Sequence, residues 1–312
     1  MNVLLIGSGV IGSIYGCHVA LAGHHVWVLA HGEREKEINQ HRIRLYDIDN
    51  NKNETGNVLL TKNVVEREYD LVIVAVNAHQ LPSTFPALRM LKGNPYLVFF
   101  GNNPEGHALL PHDLPGTMAL AFPGVAGSMK DGIVHYVRIA QQPTTLETTK
   151  NAIEKQFETA LIKQHFPVYK TNTIDGWLAY HAVFITCISI AILHANADPM
   201  QLGNDKKLLS TMCEAIEEGF ELLKKTHPKG LPRNLAILHY PLLRLFAVRY
   251  WGAIMRSPKG ELYFAAHLKH APDEIRMLKN WVIKQCAKSD SHTDQLQNFL
   301  NPEKIKGSNT FS

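Results

Sequence analysis

The stretch Asn2-Val3-Leu4-Leu5-Ile6-Gly7-Ser8-Gly9-Val10-Ile11-Gly12 decides the fold. Its apolar start reads as a buried strand. The glycines then follow the spacing G-x-G-x-x-G and lead directly into a helical pattern, the order in which a dinucleotide-binding turn is built. Gly7 permits the tight turn out of the strand, Gly9 lets the backbone approach a pyrophosphate, and Gly12 lets the helix lie close to the sheet. Ser8, Val10 and Ile11 complete the loop, whose amides, at the positive end of the helix, hold phosphates. Gly23 stops the helix before the next apolar run, Val26–Ala30. The competing reading is a tight strand-to-helix turn with no ligand, and the intact strand, loop and helix argue against it.

Working outward, strands and helices alternate up to about Val168. A charged helix opens at Gly32-Glu33-Arg34, and a hairpin is expected between Arg42–Tyr46 and Val58–Thr61. Asp70–Val76 and Tyr96–Phe100 are continuous apolar runs, as parallel strands buried on both faces require. A helix is expected from about His79, further strands over Met118–Phe122, Ile133–Ile139 and Thr144–Leu146, and a helix over Asn151–Ile162. This is an α/β pattern: a Rossmann-type, doubly wound sheet with ligands at the carboxyl ends of its strands. From Thr171 the periodicity is helical throughout, over Thr171–His194, Asp205–Thr226, Asn234–Val248, Gly260–His270 and Pro272–Ala287. Three segments are therefore expected: a coenzyme-binding domain over residues 1–168, an all-helical substrate and dimerisation domain over 169–302, and a loose polar tail over 303–312.

The chain has 312 residues, 45% of them hydrophobic and 19% charged, with a formal net charge of +4. These are globular values. No cluster of Lys and Arg is dense enough for nucleic acid, while a mild positive balance suits a small anionic substrate. Four scattered cysteines (Cys17, Cys187, Cys213 and Cys286) have neither metal nor redox spacing, which points to a reducing, cytoplasmic compartment. With the first strand starting at Asn2, no signal peptide is expected. The most apolar run, Ala182–Leu193, is too short for a membrane span. An apolar helical domain makes a homodimer an expected state.

The second strand ends Leu29-Ala30-His31-Gly32-Glu33-Arg34, without the acid at its tip that would take a ribose 2′-hydroxyl. His31 and Arg34 would instead face a 2′-phosphate, favouring NADP (NADPH) over NAD. Arg34 also reads as an ordinary solvated helix charge. Asn77 and Asn102 each follow a central strand and would line the ligand edge of the sheet, although turn chemistry alone explains Asn102-Asn103-Pro104. His267, His270 and Glu274 share helical spacing, but Pro272 interrupts that face, and no metal is expected.

Several of these elements together resemble the ketopantoate reductase (2-dehydropantoate 2-reductase) family. The family's N-terminal glycine loop is matched by Gly7, Gly9 and Gly12, and its Val-Lys-Ala-x-Gln element by Val76-Asn77-Ala78-His79-Gln80. Its Asn-Gly strand end is matched by Gly101-Asn102-Asn103, and a strand pair by Phe122-Pro123-Gly124 and Gly132–His135. The family's Trp-x-Lys-Leu-x-x-Asn helix begins here at Trp177. The resemblance implies an NADPH-dependent oxidoreductase acting on a small 2-oxo acid, with Asn77, Gln80 and Asn102 beside the coenzyme. It places Asn102, Ser257 and Glu261 near substrate. His31 stands where related reductases carry an arginine. The family's lysine and asparagine positions fall on Ala179 and Val183, and Asn77 replaces a second lysine, so ketopantoate itself is not the expected substrate. His181 is the nearest titratable alternative as proton donor, or else a core histidine on the face shared by Trp177, Phe184, Ile185 and Ile188. A catalytically inactive NADP(H)-binding protein and an opine-type dehydrogenase are the rival readings.

Overall fold

The computed structural model describes residues 1–265, 268–269, 271–289 and 293–301. The chain forms two compact units. The first comprises Met1–Gly101 and His107–Ile174, and the second Asn102–Gly106 and the residues from Asp175 onward.

The first unit runs β1 (Asn2–Ile6), α1 (Val10–Leu21), β2 (His25–Leu29), α2 (Gly32–His41), β3 (Ile43–Asp47), β4 (Lys52–Gly56), β5 (Leu59–Thr61) and β6 (Leu71–Val74). It continues with α3 (Leu81–Arg89), β7 (Tyr96–Phe100), β8 (Thr117–Phe122), β9 (Val125–Lys130), β10 (Ile133–Arg138), β11 (Thr144–Glu147), α4 (Ala152–Lys163) and β12 (Val168–Thr171). Eight strands form one sheet in the order β12-β11-β8-β7-β6-β1-β2-β5. Neighbours are parallel except at the β11–β8 pair. Strand β1 lies between β2 and β6, where the strand order reverses, so the loop after β1 stands at the topological switch point.

Two strand assignments differ from the sequence expectation. The antiparallel partner of β3 is β4, not Leu59–Thr61, which joins the edge of the large sheet beside β2. Ile133–Arg138 belongs to a second, four-stranded sheet of order β4-β3-β10-β9. This sheet packs on α1: a Cβ on Gly56 would stand 2.8 Å from Cys17 Cα. Helix α1 is therefore covered by both sheets, and Gly12–Val19 is buried without a break. Strand β12 pairs with β11, so the unit boundary lies at Ile174–Asp175 instead of at Val168.

The second unit contains α5 (Ile174–His194), α6 (Pro199–Asn204), α7 (Lys206–Lys224), α8 (Arg244–Met255), α9 (Pro272–Ala287) and α10 (Asp294–Leu300). At 21 residues α5 has the length and hydropathy of a membrane span, longer than the apolar run alone suggested, but 94% of its most apolar window is buried in the fold. It is the core of the unit. The expected helix Asn234–Val248 is broken into 3-10 segments Arg233–His239 and Pro241–Leu243 before α8 begins, because Pro241 supplies no amide and its ring displaces the preceding turn. Gly260–His270 is a helical turn, Pro258–Gly260, running into a π-helical segment, Glu261–Ala265. His267, His270 and the expected loose tail, residues 303–312, lie outside the described residues.

Candidate coenzyme and substrate sites

Each residue of the opening loop has a distinct steric reason. Gly7 has φ +92°, and a Cβ there would stand 2.4 Å from the Ala75 carbonyl oxygen. A Cβ on Gly12 would stand 1.8 Å from the Gly7 carbonyl oxygen. Gly9 is different: a Cβ there meets nothing within 4 Å. The middle glycine leaves open space at the N-terminus of α1, where Gly9 is the N-cap. No side chain caps that terminus and no acid occupies the first turn. The first helical amides consequently have no intrahelical acceptor, and the helix dipole there is unneutralised. Free amides at a helix start beside open space are the donors that a coenzyme's pyrophosphate needs.

Ser8 is buried, while Val10 and Ile11 are half-buried beside it. Arg34, on the first turn of α2, reaches back to this loop. Its Nε donates to the Ser8 carbonyl (3.0 Å), Nη2 to Ser13 Oγ (2.8 Å) and Nη1 to Glu37 (2.6 Å). Ser13 Oγ donates to the same Ser8 carbonyl at 3.0 Å. Arg34 is thus neither a solvated helix charge nor a free cation: it braces the loop. His31 is exposed at the N-cap of α2 with no cap hydrogen bond from its side chain. At the end of neighbouring β6, Asn77 is exposed, and the Gln80 side chain accepts the Asn77 amide at 3.3 Å. Gln80 therefore shapes this turn.

In the second unit, Asn102 and Glu274 meet. Asn102 Nδ2 donates to Glu274 Oε1, and Asn102 Oδ1 is buried with no hydrogen-bond partner among the described residues. The short loop carrying Asn102 is shaped by Asn103, whose Nδ2 donates to the Gly106 carbonyl (2.7 Å) while its Oδ1 accepts the Glu105 amide (3.2 Å). Gly106, at φ +58°, packs so closely on Asp175 that a Cβ would stand 2.0 Å from the carboxylate. Glu274 is buried in the first turn of α9.

This carboxylate is not the one the sequence singled out. Glu261 is exposed and paired with Lys269 at 2.6 Å. Ser257 Oγ is committed to a cap, donating to the Ile254 carbonyl (2.7 Å) and accepting the Lys259 amide (3.3 Å). In the sequence Glu274 stands out only through its helical spacing from His267 and His270. Nothing local signals that an asparagine 172 positions earlier reaches it.

On α5, His181 is buried, its ring stacked on Trp177 at 5.2 Å and edge-on to Phe184 at 5.9 Å. Ala179 and Val183 are buried as well. Val183 faces α7, where a Cβ on Gly219 would stand 2.5 Å from it. The positions that carry the family's lysine and asparagine are packing positions here.

A glycine loop at the switch point of a largely parallel sheet, in a chain whose second unit is helical, defines the class: a Rossmann-type α/β domain followed by a helical domain. Residues 3–150 match the family model described as ketopantoate reductase PanE/ApbA. A search of curated proteins gives no match. Among solved structures, a PanE/ApbA family ketopantoate reductase from Ralstonia eutropha JMP134 is 20% identical, with a TM-score of 0.75 and 96% of each chain covered. A D-mandelate dehydrogenase solved with NADH and anilino(oxo)acetate is 14% identical, with a TM-score of 0.72, 98% of this chain and 97% of the other being covered. A dimeric ketopantoate reductase from Staphylococcus aureus is 15% identical, with a TM-score of 0.67 and coverage of 98% and 99%. The whole chain has the fold of these oxidoreductases.

Proposed function

We propose that this protein is an NADPH-dependent oxidoreductase that reduces the carbonyl of a small 2-oxo acid. The observation that carries the reading is the uncapped start of α1 opening onto the space beside Gly9, within the stretch matching the family. The amides of the Gly7–Gly12 loop hold the pyrophosphate. His31 receives the 2′-phosphate, and Arg34 keeps the loop in shape beside it. Asn77 lies along the coenzyme at the end of β6. The nicotinamide supplies a hydride to the carbonyl carbon.

Asn102 and Glu274 orient the substrate, the unpartnered Oδ1 of Asn102 accepting a hydroxyl or amide and the Glu274 carboxylate fixing the asparagine's rotamer. His181 delivers the proton to the developing alkoxide, an imidazole being the titratable group suited to neutral pH. The four cysteines, all buried and free, suit a cytoplasmic setting. A homodimer is the proposed assembly.

The test is fluorescence titration with NADPH and NADH, then coenzyme oxidation with branched and aromatic 2-oxo acids, ketopantoate included. Saturable NADPH binding with turnover on at least one acid is expected. His181→Ala should lower turnover about 100-fold, the scale of general acid catalysis, with NADPH affinity unchanged. Unaltered turnover removes His181 from the role. A second reading, a coenzyme-binding protein without reductase activity, is favoured by the apolar Ala179 and Val183; tight NADPH binding with no turnover on any acid would establish it.

A further inference from the structure

Helix α2 holds one carboxylate between two guanidinium groups. Glu37 Oε2 accepts Arg34 Nη1 at 2.6 Å, and Glu37 Oε1 stands 3.9 Å from Arg44 Nη2 on β3. Oε1 is buried with no hydrogen-bond partner among the described residues. The turn between β9 and β10 boxes it in, since a Cβ on Gly132 would stand 1.8 Å from it. Arg44 is tied to the same turn, its Nη2 donating to the Asp131 carbonyl at 3.4 Å. Glu37 is thus pressed against Arg34 from its far side.

This decides how Arg34 spends its charge. Arg34 Nε and Nη2, which share one edge of the guanidinium fork, are committed to the Ser8 carbonyl and Ser13 Oγ. Nη1 is committed to Glu37. The Arg34 and Glu37 side chains are only 17% and 24% exposed, so solvent and salt screen them less than a surface pair. The hydrogen bonds of Arg34 therefore brace the loop, while its positive charge is balanced inside the fold. That balance is struck beside the end of β2, where a Rossmann-type domain distinguishes a ribose 2′-phosphate from a 2′-hydroxyl. The neighbouring pair on the helix, Glu33 with Lys36 at 2.7 Å, is 90% and 70% exposed, and such a pair is worth little.

We infer that Glu37 is a specificity-determining residue for the coenzyme: by holding Arg34 on the loop and balancing its charge, it weakens the preference for a 2′-phosphate. Glu37 is a positioning residue that acts through Arg34, and its role rests on the proposed coenzyme reading but not on the chemistry of reduction. Glu37→Gln keeps the size of the side chain and an oxygen for Nη1, so the brace stays while the guanidinium charge is released. The experiment is fluorescence titration of the full chain with NADPH and NADH, for the wild type, Glu37→Gln, Glu37→Ala, Arg34→Gln/Glu37→Gln and Glu33→Gln. Adenosine 2′,5′-bisphosphate and adenosine 5′-monophosphate, which differ only in the 2′-phosphate, serve as competitors. Melting curves establish that each variant is folded.

Glu37→Gln should bind NADPH about 10-fold more tightly, with NADH and adenosine 5′-monophosphate changed by less than about 3-fold. Glu37→Ala should shift the preference in the same direction. The gain should shrink as salt rises from about 50 to 500 mM, which a change of loop shape would not do. The double variant should return to the wild-type preference, because the charge released is that of Arg34. Glu33→Gln removes the same charge from an exposed site and should leave the preference within about 2-fold. An NADPH-to-NADH preference unchanged in both Glu37 variants overturns the role of Glu37 and leaves the coenzyme reading standing. A gain that survives without Arg34, or that Glu33→Gln reproduces, overturns it as well. A wild type that binds neither coenzyme overturns both.

Discussion

Two glycines three residues apart, Gly9 and Gly12, give opposite predictions. Gly12→Ala forces a Cβ against the Gly7 carbonyl, where both atoms belong to backbone, and should cost about 2–4 kcal/mol of stability. Gly9→Ala has open space and an allowed φ of −70°, so its stability should change by less than about 0.5 kcal/mol. Its NADPH dissociation constant should nevertheless rise about 10-fold, because the methyl enters the volume a pyrophosphate would occupy. Urea unfolding and fluorescence titration separate the two effects, and a Gly9→Ala chain that binds NADPH normally removes the phosphate from that space. At this scale the glycine loop was legible, since each glycine answers to a local constraint. Arg34 was legible as a cation near the loop but not as its brace, which depends on the Ser8 carbonyl facing α2. Glu274 was illegible because its partner comes from the other end of the chain.

Among elements, α1 carries a buried polar cluster at its far end. His18 Nε2 stands 3.0 Å from Tyr136 Oη and 3.4 Å from Glu54, and Tyr136 donates to Glu54 at 2.9 Å. Arg138 pairs with Asp47 at 2.5 Å in the same cluster. Burial holds His18 down to about 4, outweighing the attraction of Glu54. An unfolded chain takes this proton near pH 6.5 while the folded one refuses it until about pH 4, so stability is complete above 6.5 and falls as the pH drops through that interval. The loss at the lower limit is on the order of 3 kcal/mol. Urea midpoints for the wild type and His18→Gln between about pH 7 and 4.5 should show a shallower slope in the variant. Equal slopes would mean that folding leaves the proton affinity of His18 unchanged. The small sheet around this cluster was hard to read in advance. Lys52-Asn53-Glu54-Thr55-Gly56 has poor strand propensity, and it becomes a strand because β3 and the surface of α1 are there to receive it. Asn234–Val248 failed as a helix for a reason that was visible, Pro241 within it.

For the whole molecule, a ligand that binds only the folded first unit must raise its melting temperature. NADPH at about 100 times its dissociation constant adds about 2.7 kcal/mol, worth roughly 5–10 °C for a domain of this size. Differential scanning fluorimetry should show that rise with NADPH and a smaller one with NADH. Equal shifts would remove the preference ascribed to His31, and no shift with either would remove the coenzyme. The alternation of strands and helices made the first unit's architecture readable, and the all-apolar character of α5 made the second unit's core readable. The point of division was not, because a boundary is set by which contacts form and not by a change of composition.

The five residues Asn102–Gly106 belong to the second unit although the chain on either side of them belongs to the first. Recombination at one point can therefore never exchange the two halves cleanly. A chimaera joined near Ile174 would carry one parent's asparagine beside the other parent's glutamate, so substrate preference in such hybrids should follow the parentage of this pentapeptide together with α9.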